Sequence, residues 1–230
     1  MAHRLDSDLM EVHPQHGLAL KNQIPSSVKL VAVSKTRSPE DILEAYHTGH
    51  RDFGENRVQE LLSKKESLPE DIEWHLIGHL QTNKVKFIIQ YISLIHSVDS
   101  FRLLKTIDTE AKKISRTVDC LLQFHIAQEE TKFGFTMEEA SSMLESQDFW
   151  RLGSVRICGV MGMATLTNDM EKIRKEFKGL VGCFNTLKEK YFRDMTSFRE
   201  KSMGMSGDYM TAIEEGSTII RIGSAIFGER

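Results

Sequence analysis

Lys29-Leu30-Val31-Ala32-Val33-Ser34-Lys35-Thr36-Arg37 is an apolar, β-branched run that stops abruptly at a lysine. Such a run is typical of a strand buried on both faces, as the parallel strands of α/β proteins are. The polar segment Ser38-Pro39-Glu40-Asp41 follows directly and predicts the start of a helix. Lys35 would therefore stand at the carboxyl end of a parallel strand, where α/β folds place their functional groups.

The same alternation of strand and helix continues along the chain. Further strands are predicted at 51–56, 73–78, 94–98, 119–127, 155–164, 198–206 and 218–222. Helices are predicted at 39–48, 57–65, 100–115, 137–144, 169–191 and 208–215, with another that starts at Gln81 and is capped by Thr82 or Asn83, and a last turn at 224–227. Eight such units in 230 residues predict a closed (β/α)8 TIM barrel, and a doubly wound open sheet is the alternative.

Composition narrows the class of protein further. No Pro-, Gly- or Ser-rich linker divides the chain, so one domain is predicted over 1–230, with a broken helical extension at 1–27. A net charge of −3 gives no reason to expect nucleic acid, and no segment reaches the roughly 18 apolar residues of a membrane span. Three cysteines without CxxC spacing, and an N-terminus unlike a signal peptide, predict a cytoplasmic protein.

In a barrel, the strand ends hold the candidate site residues. They are Lys35, Asn56, Gly78 with His79, Ser97 to Asp99, Ala127, Met163 to Thr165, Met205 with Ser206, and Arg221 to Ser224. TIM barrels commonly bind phosphate through the loops after strands 7 and 8, which here contain the Gly- and Ser-bearing runs 202–207 and 221–224. Glycine lets the backbone approach an anion and serine adds a donor, so a phosphate site is predicted; ordinary turns are the alternative.

A phosphate site together with a strand-end lysine indicates a phosphorylated aldehyde as ligand. Lysine forms a Schiff base with a carbonyl once its amine has lost a proton, which partial desolvation and a nearby cation such as Arg37 or Arg221 would favour. Pyridoxal 5′-phosphate (PLP) is the obvious candidate. The alternative for Lys35 is a solvated or salt-bridged strand end.

Several separate motifs strengthen this interpretation. They are Val31-Ala32-Val33-Ser34-Lys35, Phe53-Gly54-Glu55-Asn56-Arg57-Val58-Gln59-Glu60, Trp74-His75-Leu76-Ile77-Gly78-His79-Leu80-Gln81-Thr82-Asn83-Lys84, His96-Ser97-Val98-Asp99, Ser202-Met203-Gly204-Met205-Ser206-Gly207-Asp208 and Ile220-Arg221-Ile222-Gly223-Ser224-Ala225-Ile226-Phe227-Gly228. In this wording and order they resemble the pyridoxal phosphate homeostasis protein family, relatives of the barrel domain of bacterial alanine racemase. The resemblance runs from about Val28 to Arg230.

Carried over by position, the resemblance implies a set of cofactor-binding residues. They are Lys35, Asn56, Ser206, Arg221, Gly223 and Ser224. Lys35 would form the Schiff base, while the two serines and Gly223 would hold the phosphate. Arg221 matches the arginine that faces the pyridine nitrogen in the racemases, and Asn56 would lie near the ring or its hydroxyl.

The resemblance also implies a function. A cationic arginine beside the pyridine nitrogen disfavours protonation of that nitrogen and so weakens the ring as an electron sink. The racemases add a β-rich domain whose tyrosine is a second acid/base, and we expect no counterpart here. The implied protein is a monomeric, non-catalytic carrier that supports PLP homeostasis and supplies PLP-dependent apoenzymes. The alternatives are a PLP-dependent amino-acid racemase, or a barrel that binds another phosphate without forming an imine.

Other features are weaker. His75 and His79 are four residues apart but lie on a predicted strand and its exit rather than on a helix, so no metal site is predicted. The chain departs from the common family wording at 125–128, 161–165 and 200–201. These departures affect the ring face and strand 7, and they leave the lysine and the phosphate groups intact.

Overall fold

The computed structural model describes residues 23–127 and 133–228, together with Leu20. Parallel strands pair in sequence order and the eighth returns to the first, so the sheet closes into a barrel. The strands are β1 Lys29–Val33, β2 Asp52–Glu55, β3 Glu73–Leu76, β4 Ile92–Val98, β5 Val118–Gln123, β6 Val155–Met161, β7 Glu200–Ser202 and β8 Ile219–Ile222. The predicted (β/α)8 TIM barrel is confirmed, and the open sheet is wrong.

Helices follow the strands and cover the outside of the barrel. They are α1 Pro39–His47, α2 Val58–Lys65, α3 Val85–Ile88, α4 Phe101–Lys113, α5 Met137–Glu145, α6 Gln147–Trp150, α7 Met170–Lys190, α8 Tyr209–Glu214 and α9 Ser224–Phe227. In α1 the Ser38 hydroxyl accepts the Asp41 N–H while the Asp41 carboxylate accepts the Ser38 N–H. This reciprocal cap satisfies two backbone donors that the first turn leaves unpaired.

The structure corrects several predicted boundaries. Neither Thr82 nor Asn83 caps a helix, because both lie inside a 3₁₀ turn at Thr82–Lys84. Gln81 precedes this turn, and α3 follows it. The short helix α6 was not predicted, since Ser146 both ends α5 and caps α6 through its hydroxyl. Strand β7 is shorter than predicted because Gly204, with a φ of +100°, turns the chain away from the sheet.

Strands β5 and β6 are also shorter at their carboxyl ends than predicted, ending at Gln123 and Met161. Of the predicted extension at 1–27, Leu20 and residues 23–27 are described, and the rest lies outside the described residues. The assignment of one domain to 1–230 stays a prediction. No helix in the described ranges is long and apolar enough to cross a membrane.

Two apolar layers result from the period-two alternation of strand side chains. The inner layer fills the barrel lumen with Val31, Leu94, Leu121, Cys158, Met161 and Ile219. The outer, larger layer packs the strands against the helices and includes Leu30 and Ala32 of β1. Consecutive residues of a strand therefore face different layers. This alternation determines which side chains point into the lumen at the carboxyl ends of the strands.

Candidate functional site

A cavity of about 540 Å³ opens at the end of the barrel where the strands have their carboxyl ends. It brings together all the cofactor-binding residues that the sequence implied: Lys35, Asn56, Ser206, Arg221, Gly223 and Ser224. Its volume is in the range of sites for small ligands and cofactors. The structure therefore brings these six residues to one cavity, and their roles toward a ligand stay predictions.

Other residues complete the lining: Val33, Arg37, Ile77, Met163, Met205 and Gly228. Met163 and Met205 were among the strand-end candidates, whereas the candidates Gly78 with His79, Ser97 to Asp99, and Ala127 do not line this cavity. Arg37 was expected only as a cation near Lys35, and Val33, Ile77 and Gly228 were missed as cavity residues. Period-two spacing from Val31 would have identified Val33, and Ile77 lies directly beside the candidate Gly78.

The charge of the lining favours an anion. Lys35, Arg37 and Arg221 are cationic, and none of the described residues that line the cavity is Asp or Glu. The Arg37 guanidinium donates to the Gly228 carbonyl and lies 5.6 Å from the centre of the Phe227 ring, so it is held at the rim. Positive groups with low-dielectric walls concentrate the field on a bound anion.

Lys35 reaches the cavity because of its place in the alternation of β1. Val31 belongs to the lumen layer, Val33 lines the cavity, and Lys35 continues the same face two residues later. Lys35 is half-buried, and within the described part of the chain it makes no ion pair or hydrogen bond. Its amine is therefore available to a ligand.

The backbone on both sides of Lys35 is hydrogen-bonded to side chains of helix α2. Lys64 Nζ donates to the Ser34 carbonyl at 2.9 Å and to Glu55 Oε1 at 2.8 Å. Glu60 Oε2 accepts the Thr36 N–H at 2.9 Å, and Thr36 has a φ of +63°, which β-branched residues rarely adopt. These contacts hold the loop that presents Lys35 in one conformation.

The opposite side of the cavity offers hydrogen-bond donors and bare backbone. Ser206 and Ser224 are exposed, and their hydroxyls have no partner among the described residues. A Cβ added at Gly223 would lie 3.2 Å from the Val33 carbonyl oxygen, so a side chain there would be crowded. Glycine leaves this wall open to close approach by an anion.

Arg221 projects from β8 into the lumen just below the cavity. Its Nη1 donates to Ser202 Oγ and its Nη2 donates to the Gly162 carbonyl at 3.1 Å, so the guanidinium is held from two directions. Burial lowers the pKa of Arg221 to about 10, with Asp208 opposing this shift. Arg221 therefore stays charged at neutral pH.

Asn56, at the end of β2, is placed by a close backbone approach. A Cβ added at Gly78 would lie 2.3 Å from the Asn56 carbonyl oxygen, so these two strand ends pass within a distance that no side chain allows. The glycine in Ile77-Gly78-His79 is thus required to bring Asn56 to the cavity.

Two fully buried histidines, His75 and His96, lie deeper in the lumen. Burial lowers the pKa of His96 well below its usual value, and the positive charge of Arg221 lowers it further. The unfolded chain takes up a proton at this residue near pH 6.5 and the folded chain does not. The unfolded state then binds more protons, so acidification destabilises the fold.

We expect the free energy of unfolding to fall, through His96 alone, by up to about 1.4 kcal/mol per pH unit below about pH 6.5. Urea unfolding between pH 7.5 and 5 of wild type and His96→Gln measures this, because the variant loses the contribution of His96 to the slope. His47→Gln, at an exposed position in α1, is the control and keeps the wild-type slope. Equal slopes in wild type and His96→Gln would contradict the expectation.

Comparisons with known proteins agree with this geometry. The sequence model of the family described as "Alanine racemase, N-terminal domain" matches residues 17–230. A pyridoxal phosphate homeostasis protein of Synechocystis sp. is 39% identical over 212 residues, which cover 90% of this chain and 94% of that protein. PipY of Synechococcus elongatus, at 34% identity, gives TM-scores of 0.87 without PLP and 0.85 with PLP bound, over 94% of this chain and 99% of PipY.

The match to the alanine racemase domain spans nearly the whole chain. The Synechocystis relative and PipY are similar along almost their full lengths. The resemblance seen in the motifs is therefore confirmed, and the chain belongs to the pyridoxal phosphate homeostasis protein family, within the wider family of alanine racemase N-terminal domains.

Proposed function

We propose that this chain binds PLP as a Schiff base on Lys35 and serves intracellular PLP homeostasis and cofactor supply. The observation that carries the proposal is that a lysine amine without a partner among the described residues lines the same cavity as Ser206, Gly223 and Ser224. A solved structure of the relative PipY contains bound PLP, which supports the choice of ligand.

The residues of the cavity fit this cofactor. When bound, PLP supplies an aldehyde that condenses with the Lys35 amine and releases water. The free hydroxyls of Ser206 and Ser224 and the open backbone of Gly223 suit a phosphate, and the positive lining favours its charge. Arg221 would face the pyridine nitrogen and disfavour its protonation.

A carrier is favoured over the alternative, a racemase, by the chemistry of the lining. A racemase needs an acid/base group on each face of its substrate, and Lys35 supplies one. Among the described residues, the cavity lining includes no Tyr, His, Cys, Asp or Glu that would be the second. Transfer to PLP-dependent apoenzymes, a monomeric state and a cytoplasmic location stay predictions from the sequence.

Borohydride reduction of the PLP-loaded protein, followed by peptide mass analysis, tests the proposal directly. The expected result is a pyridoxyl group on the peptide that contains Lys35. Incubation with L- or D-alanine tests the alternative, and the expected result is no sustained change of chirality. Modification only at other lysines would overturn the Schiff-base assignment, and sustained racemisation would overturn the carrier assignment.

The proposed role of the Ser206 and Ser224 hydroxyls in binding the phosphate gives a second prediction. Removing one hydrogen bond to a charged phosphate costs about 1.5–3 kcal/mol, so Ser206→Ala and Ser224→Ala should each weaken PLP binding at least roughly tenfold. Binding of pyridoxal, which lacks the phosphate, should change little. Fluorescence titration with both ligands measures this, with Ser63→Ala in α2 as control. Equal losses for PLP and pyridoxal would show that these hydroxyls do not hold the phosphate.

A further inference from the structure

A line of polar side chains runs through the barrel lumen from Arg221 to Asp52. Arg221 Nη1 donates to Ser202 Oγ, and His96 Nδ1 lies 2.8 Å from the same oxygen. His96 Nε2 lies 2.8 Å from His75 Nδ1, and His75 Nε2 lies 3.1 Å from Asp52 Oδ1. The side chains from Arg221 to His75 are at most 3% exposed, so bulk water does not compete for these contacts.

This line runs through the same lumen as the apolar inner layer of Val31, Leu94, Leu121, Cys158, Met161 and Ile219. Buried polar groups destabilise a fold unless each is hydrogen-bonded, and a partly satisfied network is worse than an apolar core. TIM barrels ordinarily fill this space with branched aliphatic side chains. Because the polar side chains from Arg221 to Asp52 are all hydrogen-bonded to one another in the lumen, we expect them to have a role beyond packing.

The carboxylate end fixes the direction of the hydrogen bonds. Ionised Asp52 only accepts, so His75 presents a protonated Nε2 to it. In neutral His75 the Nδ1 atom is then an acceptor, and it requires the Nε2–H of His96 as its donor. By the same rule His96 Nδ1 accepts the hydroxyl proton of Ser202, whose oxygen accepts from Arg221. The reverse arrangement would place an unprotonated His75 nitrogen against the carboxylate.

The charge states agree with this arrangement. Burial alone would raise the pKa of Asp52, but hydrogen bonds from His75 and Lys29 outweigh it and lower the pKa to about 2. Burial lowers the pKa of His75, with Asp52 opposing, and lowers that of His96 more strongly. The charged groups that face the two histidines are Lys29, Asp52, Glu73 and Arg221.

We infer that Ser202, His96 and His75 form a polarised relay, here called the lumen relay, that positions the Arg221 guanidinium at the cavity. Every hydrogen bond in it donates away from the cation and toward Asp52 at the other end of the lumen. The relay residues do not line the ligand cavity, so they are positioning residues. The inference rests on the proposed function in one respect, that Arg221 faces the pyridine nitrogen.

The first test uses the chain without cofactor. Nitrogen-15 NMR of histidine-labelled protein at pH 7 should show His75 and His96 neutral, each with its proton on Nε2. Signals are assigned by their loss in His75→Gln and His96→Gln. A protonated Nδ1 on either ring would overturn the relay.

The second test measures the position of Arg221. Side-chain nitrogen signals of Arg221, assigned by Arg221→Lys, should be resolved and slow to exchange in wild type, and averaged in Ser202→Ala. Ser202→Thr keeps the hydroxyl oxygen and should restore the wild-type pattern. Identical arginine signals in wild type and Ser202→Ala would reject positioning by the relay.

The third test concerns the bound cofactor. Freeing Arg221 should let the ring nitrogen gain a proton more easily, so its spectral midpoint should move to higher pH in Ser202→Ala and His96→Leu but not in Ser202→Thr. Binding of PLP and of pyridoxal should weaken to the same extent, unlike the effect of Ser206→Ala. If wild type forms no imine, the proposed function fails while the NMR results still decide the relay. If wild type forms the imine and no variant moves the midpoint, the relay's effect on the cofactor is rejected and the proposed function stands.

Discussion

We expect Lys35→Ala to abolish the imine absorption of the PLP-loaded protein while the barrel stays folded. No other described lysine lines the cavity, so we expect none of the described lysines to replace Lys35. Removing Lys35 breaks no ion pair or hydrogen bond in the described chain, and surface-type substitutions of this kind change stability by about 0.5 kcal/mol or less. The variant should still bind PLP weakly, because Ser206, Gly223 and Ser224, which we propose to bind the phosphate, are unchanged.

Visible absorption before and after addition of PLP, and urea unfolding, measure the two parts of this expectation. Lys35→Arg is a matched control that keeps the positive charge and also forms no imine, so it separates loss of charge from loss of the amine. Lys65→Ala in α2 should keep the wild-type spectrum. An unchanged imine spectrum in Lys35→Ala would contradict the assignment of the lysine.

The fold was predictable because its signals are local. Strands such as β1 and β4 are short, largely apolar runs, and helix α1 has a start signal, Ser38, directly before it. The period of two on β1 then places Lys35 on the same face as Val31. Errors occurred where a single residue has two roles, as Ser146 does between α5 and α6.

The lumen relay was not predictable in the same way. Its members come from β3, β4 and β7, the arginine that it positions comes from β8, and their spacing in the sequence follows no local period. His75 had been considered only as half of a metal pair with His79, whereas the structure pairs it with His96 and Asp52. Only the registers between neighbouring strands bring such residues to one line, and those registers are set by the closed barrel as a whole.

Helix α2, whose Lys64 and Glu60 hold the backbone beside Lys35, gives the second large expected effect of a substitution. Lys64 and Glu55 form an ion pair with side-chain exposures of 9% and 0%. Burial raises the pKa of Glu55, and the hydrogen bonds from Lys64 and Ser34 oppose that shift. Glu55 Oε2 has no partner in the described chain, so Lys64 is the only cation that compensates this buried carboxylate there.

Lys64→Met should therefore lower the free energy of unfolding by about 3–5 kcal/mol, the usual effect of removing one member of a buried pair. It also frees the Ser34 carbonyl, so the imine on Lys35 should form more slowly at saturating PLP. Urea unfolding and stopped-flow absorption measure the two effects. Lys65→Met is the matched control, because the Lys65 ammonium lies 3.8 Å from the centre of the Tyr91 ring, a contact worth about 1 kcal/mol or less.

The double variant Lys64→Met with Glu55→Gln separates the two roles of Lys64. Neutralising the partner removes the uncompensated charge, so most of the lost stability should return. The rate of imine formation should not return with it, because the Ser34 carbonyl still lacks its donor and the Lys35 loop is still released. Recovery of both quantities would mean that Lys64 acts only through the charge of Glu55, and that the loop conformation at Thr36 does not depend on it.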